Sequence, residues 1–240
     1  MLDILGSMSL TALAILSAGI LILAGGGDAA SRGRLAAVVG AWFVGITALA
    51  GAGLFSRTGA LGIPALAVSV FVPIIVGWVA LARSPRVQAF AKAIPLPMLV
   101  AVHAGRLLGA FFIALYAAGR LPRTFSMTAG EGDMFIGLMA LPLAWAIHRR
   151  APGWQWLTLA WNALGTLDLV SALTLGVGSN AGSPLRFIFE TPDSHAIGVL
   201  PWALIPAILV PLYMLAHISV FARLKAHARG KASLTLHQAA

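Results

Sequence analysis

Residues 95–118 read PLPMLVAVHAGRLLGAFFIALYAA, an apolar run that contains one histidine and one arginine. About 20 apolar residues in an α-helix cross the roughly 30 Å hydrocarbon core of a bilayer, so this run predicts a transmembrane helix. Arg106 would then lie about 16 Å from Pro95, near the membrane centre. A charge at that depth needs a partner, which makes Arg106 a candidate functional residue.

The composition of the whole chain is that of a polytopic membrane protein. Hydrophobic residues make up 60% and charged residues 10% of its 240 residues, whereas an average soluble domain is about 25% charged. We expect residues 1–224 to form one transmembrane domain, followed by a basic and polar cytoplasmic tail at 225–240. The apolar segments predict an all-α fold with seven transmembrane helices, roughly at 2–24, 35–54, 63–82, 95–118, 133–148, 156–176 and 197–222.

The net charge of +9 is explained by membrane topology. Nucleic-acid binding would need a basic face with groups that read or stack on bases, and no such pattern is present. By the positive-inside rule, the N-terminus is expected outside and the C-terminus in the cytoplasm, in a cell inner membrane. The lipid bilayer, with anionic lipids at the cytoplasmic face, is then the expected partner. Eleven of the sixteen Lys and Arg residues fall on one side: Arg32, Arg34, Arg83, Arg86, Lys92, Arg149, Arg150, Arg223, Lys225, Arg229 and Lys231. Four fall on the other: Arg57, Arg120, Arg123 and Arg186.

Several chemical classes are excluded or unsupported by the residue types. The chain has no cysteine, which rules out disulfides, thiolate metal sites and thiol catalysis. No phosphate loop, HExxH motif or internal repeat is found, and we assign no catalytic residue. A retinal protein would share the seven-helix topology, but the predicted last helix has no lysine for a Schiff base.

Asp168 is the expected partner of Arg106. It lies about 18 Å from Trp156 along the sixth predicted helix, at a depth comparable to that of Arg106. Either charge alone would be uncompensated in the membrane, so we predict that the two side chains meet. Such a pair has two interpretations that the sequence leaves open: part of a solute or proton path, or a structural link between helices.

A second polar group is predicted nearer the cytoplasm. His103, Asn162 and His217 come out about 9 to 12 Å inside that boundary, and Tyr213 shares a helix face with His217. Two histidines on different helices are a possible axial pair for haem b. Hydrogen bonding between helices or a proton step is the alternative. A zinc site with Asp168 is disfavoured because the predicted depths differ by about half a leaflet.

Acidic residues and a histidine are expected at the outer surface. Residues 134–148 span only about 22 Å, which puts Glu131 and Asp133 at or slightly below that surface, as helix caps or cation ligands. Glu190, Asp193 and His195 lie in the longest outer loop, whose apolar centre suggests a surface segment or a lid. These five residues are predicted to surround an outer vestibule, with capping of the seventh helix as the alternative.

The function predicted from these patterns is transport or binding of a small solute, with an anion or a proton-linked process as the specific forms. A haem-bearing redox subunit and a non-catalytic structural subunit of a membrane complex are the alternatives. A homo-oligomer or a larger membrane complex is compatible with a chain that has no soluble domain.

Overall fold

The computed structural model describes residues 1–56 and 62–238, with side chains described through Arg229. This part of the chain is helical and contains no strand. Seven of its helices are long and apolar enough to cross a membrane, which confirms the predicted all-α architecture with seven membrane-length helices. Arg57, which the topology count assigned to the outer side, lies outside the described residues, as does the side chain of Lys231.

Eight helices follow one another in the described chain. All except α4 are of membrane-spanning length. The short α4 begins at Pro85, and the Ser84 hydroxyl caps it by accepting a hydrogen bond from the Val87 amide. The helices are α1 (Leu2–Ala24), α2 (Ala29–Gly51), α3 (Gly62–Arg83), α4 (Pro85–Ala93), α5 (Leu96–Ala117), α6 (Arg123–His148), α7 (Trp154–Ser179) and α8 (Val210–Gln238).

Helix α6 begins at Arg123, ten residues before the predicted start at 133, so that boundary is wrong. Pro122 precedes the helix in an extended conformation. Gly130 and Gly132, which fall between the predicted helices 95–118 and 133–148, lie inside the helix and pack closely against α5 and α7. Tertiary packing here overrides the low helix propensity of glycine. The helix is therefore long enough to span the membrane, and its acidic residues lie well below its start.

The seventh span also differs from its predicted start at 197. Residues Ser194–Gly198 form a separate 3₁₀ turn that Asp193 caps, so Asp193 does not cap the last span. A π-helical turn at Ile205–Leu209 leads into α8, which continues as a helix to Gln238 through the predicted tail. Pro206 and Pro211 lie in the first turns of this element, where a missing N–H is tolerated.

The core of the bundle is formed by α5, α6, α7 and α8. The most apolar window of the last span is 56% buried, whereas the corresponding windows of α2 and α3 are 11% buried. At one end, the Asp3 carboxylate accepts hydrogen bonds from Arg120 and from the Trp202 indole, both at 2.8 Å. This contact joins α1 to the ends of the core elements.

Candidate functional site

The centre of α5 is a 3₁₀ helix from Val102 to Gly109, and it carries both His103 and Arg106. With three residues per turn, side chains three apart lie directly above one another. Both therefore point into the bundle, where their exposed fractions are 0% and 2%. The tight helical stretch thus aligns an imidazole and a guanidinium on one buried face.

The Arg106 guanidinium contacts three other helices. Its Nε donates to Asp133 Oδ1 on α6 at 2.6 Å, and one terminal nitrogen forms an ion pair with Asp168 on α7, which confirms the predicted pairing. The other terminal nitrogen donates to the Gly165 carbonyl at 3.1 Å and lies 3.2 Å from His217 Nε2 on α8. The cluster therefore joins all four core helices.

Three helices independently put these charges near the middle of the membrane. Arg106 lies ten residues after Leu96, Asp133 ten residues after Arg123, and Asp168 eleven residues before Ser179. Each interval corresponds to about 15 Å, half the thickness of the hydrocarbon core. Two carboxylates therefore share one guanidinium where charge is most costly, so the ionised trio carries one excess negative charge.

Glycines allow the helices to approach closely enough for these contacts. A Cβ at Gly132 would overlap the Asp168 carboxylate, and one at Gly165 would come within 2.6 Å of the His217 ring. A side chain at either position would push a member of the cluster away. The close approach at the cluster thus depends on the absence of these two side chains.

The hydrogen bonds of His217 determine its tautomer. The Asn162 side-chain nitrogen donates to the His217 carbonyl at 3.1 Å, which turns the Asn162 oxygen toward His217 Nδ1 at 2.7 Å. Arg106 has only donors, so the Nε2 atom that faces it must accept. His217 is therefore neutral in this arrangement, with its proton on Nδ1. A second proton can bind Nε2 only after Arg106 withdraws.

His103 lies beside His217, with the two ring centroids 4.1 Å apart. Tyr213 and Trp161 pack against it, each with its ring centroid 5.1 Å away. Within the described residues neither ring nitrogen of His103 has a hydrogen-bond partner, although the side chain is fully buried. The predicted separation of His217 from the charged layer is wrong, because His217 contacts Arg106 directly, whereas the contact of His103 with His217 agrees with their predicted common depth.

The two histidines do not fit a haem as they lie. Axial ligation requires the macrocycle between the imidazoles, with a nitrogen about 2 Å from the metal on each side. Stacked rings at 4.1 Å leave no room for it. Among the described residues, no group of three or more His, Asp or Glu side chains could hold a metal ion.

A cavity of about 20 Å³ lies beside the cluster and is lined by Arg106, Asp133, Tyr213 and apolar side chains. That volume is sufficient for a single water molecule. An apolar cavity of about 470 Å³ lies elsewhere, between α2 and α3. The cavity at Arg106 is thus too small for an organic solute in this conformation.

The five residues of the predicted outer vestibule are not brought together. Glu190 accepts hydrogen bonds from the Thr124 hydroxyl and amide at the start of α6, nine residues from Asp133. The Thr124 hydroxyl, followed by the amide, holds the pKa of the Glu190 carboxyl below its ordinary value. Asp193 accepts from the Ala181 and His195 amides, and the His195 side chain is exposed. Glu190 and Asp193 thus cap backbone groups, although neither caps the seventh helix as the alternative proposed, whereas Asp133 lies in the buried cluster.

A protein-family model described as "Domain of unknown function (DUF8737)" matches residues 63–225, two thirds of the chain. The chain belongs to this family. No curated protein and no solved structure matches it. The DUF8737 region contains every residue of the cluster, whereas α1 and α2 lie outside it.

All six residues predicted for the inner site lie in this one cluster of the DUF8737 region. They are His103, Arg106, Asn162, Asp168, Tyr213 and His217. The sequence reasoning assigned Asp133 to the outer surface because it started α6 too late. Pro122, which ends the preceding loop, was the available signal for the earlier start.

Proposed function

We propose that this protein is a proton-linked membrane transport or binding protein, and that the Arg106 cluster is its proton-binding site. The observation that carries the proposal is the charge count, with Asp133 and Asp168 on one guanidinium near the midplane. An uncompensated charge there is costly, and one bound proton shared by the two carboxylates neutralises the trio. A change in that proton's occupancy would change the strength of the link between α5, α6 and α7.

His217 supplies a second position for the same proton. While Arg106 contacts Nε2, His217 cannot bind a second proton, since both partners would then be donors. If Arg106 moves toward two ionised carboxylates, Nε2 becomes free to accept the balancing proton. The total charge is zero in both arrangements. The position of Arg106 would therefore decide which group holds the proton. A carboxylate holds it while Arg106 contacts His217, and His217 holds it after Arg106 has moved.

Irregular helices beside the cluster provide a means of movement. The 3₁₀ stretch carries Arg106, and Ile205 and Leu209 of the π-helical turn line the small cavity next to it. Mid-helix 3₁₀ stretches and π-turns are frequent at functional hinges. Four of the five N–H donors of Arg106 are engaged by the cluster. A proton or a cation therefore suits this site better than an anion, which would have to displace a carboxylate.

We assign the protein to the cell inner membrane, with the N-terminus outside and the Arg- and Lys-rich joints in the cytoplasm. The cysteine-free chain permits a direct test by single-cysteine labelling in intact cells. A membrane-impermeant maleimide should label Thr191→Cys, in the loop between α7 and α8. It should leave Ser84→Cys, in the joint before α4, unlabelled until the cells are opened. The reverse pattern would contradict this orientation.

Proton binding is tested by infrared difference spectroscopy on the purified protein in lipid nanodiscs. We expect a carbonyl band of a protonated carboxyl group that disappears as the pH is raised. Asp133→Asn and Asp168→Asn should each remove or shift this band. Asp193→Asn, in the outer loop, is the control and should leave it unchanged. A wild-type protein with no such band, and with no proton flux in liposomes, would refute the proposal.

A structural subunit of a membrane complex is the second candidate function. The observation that favours it is the close packing around Arg106, whose adjoining cavity accommodates one water molecule. In that case the ion pairs only hold α5, α6 and α7 together. Cluster variants would then lower stability without any change in proton binding, and the infrared experiment distinguishes the two functions.

A further inference from the structure

Glu131 is an acidic residue on the outer surface of α6, close to the middle of the membrane. It lies two residues before Asp133, which corresponds to about 3 Å along the helix axis. Asp133 points into the bundle, whereas the Glu131 side chain is exposed. No hydrogen bond or ion pair of the Glu131 side chain is formed within the parts of the chain whose side chains the structure describes.

The surface around Glu131 is otherwise apolar. Phe135, Leu138 and Trp145 are 53%, 59% and 62% exposed and lie on the same face of α6. Successive spacings of four, three and seven residues, counted from Glu131 through Phe135 and Leu138 to Trp145, produce one continuous stripe along the helix. We call this stripe, with Glu131 at its upper end, the α6 face. It meets hydrocarbon or another transmembrane helix.

A lone carboxylate on such a face is not explained by lipid contact. Acidic side chains in spans almost always face protein or water and have a partner, because hydrocarbon does not solvate them. Gly132, the next residue, packs against Asp168, and Arg106, the cation of the cluster, is already engaged by Asp133 and Asp168. A group that covers the α6 face must bring positive charge.

A second copy of this chain cannot supply that charge. Among the described spans, Arg106 is the one Lys or Arg near the midplane, and it is buried and fully engaged with its own partners. The exposed histidines are also far from the midplane: His148 and His195 lie at or beyond helix ends, and His227 lies two residues before the end of the last membrane-length span at Arg229. A symmetric pair of α6 faces would oppose like charges.

We infer that the α6 face is an intramembrane docking surface for a different membrane protein, through a transmembrane helix with a Lys or Arg near its centre. Glu131 forms the ion pair that sets the register of this helix. Phe135, Leu138 and Trp145 provide the apolar contact below it. The inference is independent of the proposed proton site, since Glu131 is not part of the Arg106 cluster.

The test uses a photo-crosslinking amino acid at Leu138 in the full-length protein, in native membranes. Mass spectrometry should identify the crosslinked peptide as a transmembrane segment of another protein with a Lys or Arg at matching depth. Glu131→Gln should lower the yield by about tenfold or more, and Glu131→Asp should restore part of it. The controls are Glu190→Gln and the same crosslinker at Val44 on the exposed side of α2.

Three results would overturn the inference. The first is a crosslink to a second copy of this chain, and the second is a crosslink to lipid alone. The third is a crosslink to another protein whose yield is unchanged by Glu131→Gln. Because the Glu131 side chain is exposed and forms no hydrogen bond or ion pair within the described part of the chain, the glutamine variant should keep its helical circular dichroism spectrum. The yields are therefore compared at equal amounts of folded protein.

Discussion

The strongest prediction concerns the two carboxylates that share Arg106. If the trio carries one excess negative charge, replacing either carboxylate by its amide removes that excess while Arg106 keeps one counter-ion. The amide oxygen still accepts the hydrogen bond, although a charge-assisted bond is about twice as strong as a neutral one. Starting from about 1.5–3 kcal/mol for a bond to a charged group, we expect Asp133→Asn and Asp168→Asn each to cost about 1 kcal/mol.

The double variant should behave differently, because it leaves the guanidinium buried without a counter-ion. Loss of the partner of a buried charge costs about 3–5 kcal/mol. The two single changes together account for about 2 kcal/mol, so the coupling energy should be about 1–3 kcal/mol. This non-additivity follows from the charge count. Two independent ion pairs of equal strength would instead produce two large, additive losses.

The assay is unfolding in mixed micelles by increasing fractions of sodium dodecyl sulfate, followed by circular dichroism. The four proteins are the wild type, Asp133→Asn, Asp168→Asn and the double variant. Asp28 caps α2 by accepting a hydrogen bond from the Ser31 amide at 2.8 Å. Asp28→Asn is the matched control, because asparagine caps helices as well as aspartate does, and it should stay within about 0.5 kcal/mol. Additive effects, or single losses above about 3 kcal/mol, would refute the shared proton.

Two further predictions follow from the contacts of single residues. Gly132→Ala should displace the Asp168 carboxylate and destabilise the protein in the same assay, whereas Gly40→Ala, which meets nothing within 4 Å, should be neutral or stabilise it by about 0.5–1 kcal/mol. Equal effects of the two alanines would contradict the close packing. The Glu190 cap on Thr124 lowers the pKa of Glu190, so its stabilising effect is present above the ordinary value of 4.5 and is lost as the pH falls through the lower value. The Thr124 amide resonance should titrate with a midpoint below 4.5 in the wild type and lose this titration in Glu190→Gln.

The length of the apolar segments predicted the architecture, and helix depth predicted one ion pair. Residue counts from the helix ends put Arg106 and Asp168 at the same level, and the two side chains meet. The same counts failed for His217, because they took residue 222 as the end of the last span, whereas α8 continues as a helix to Gln238. The 3₁₀ stretch in α5 turns His103 and Arg106 to one face without bringing them to one depth, since its rise is about 2 Å per residue. Residues 102–109 contain no proline, and Gly105 and Gly109 alone do not distinguish a 3₁₀ helix from an α-helix.

Asp133 was misplaced for a different physical reason. Gly130 and Gly132 fall between two predicted helices, and the low helix propensity of glycine is consistent with a joint there. Their actual use is close helix packing, which depends on residues distant in the sequence, such as Asp168. At Gly130 and Gly132 of α6, the local sequence pattern and the tertiary packing therefore favour different structures. Such conflicts are expected at functional or strained sites.

Two acidic residues at similar depth, Asp133 and Glu131, lie on opposite sides of α6 and have different roles. Asp133 faces inward and shares a guanidinium, so its charge can be balanced by a proton within the chain. Glu131 faces outward, where the described chain offers no cation. A bound proton therefore acts on the links between the helices of this protein, whereas the outward carboxylate requires a group from outside it. If both proposals hold, Gly132, which adjoins Glu131 in sequence and Asp168 in space, is where docking of a partner helix would alter the proton site. A partner cation beside Asp168 would favour the ionised form of the Asp168 carboxylate, so docking should release the shared proton.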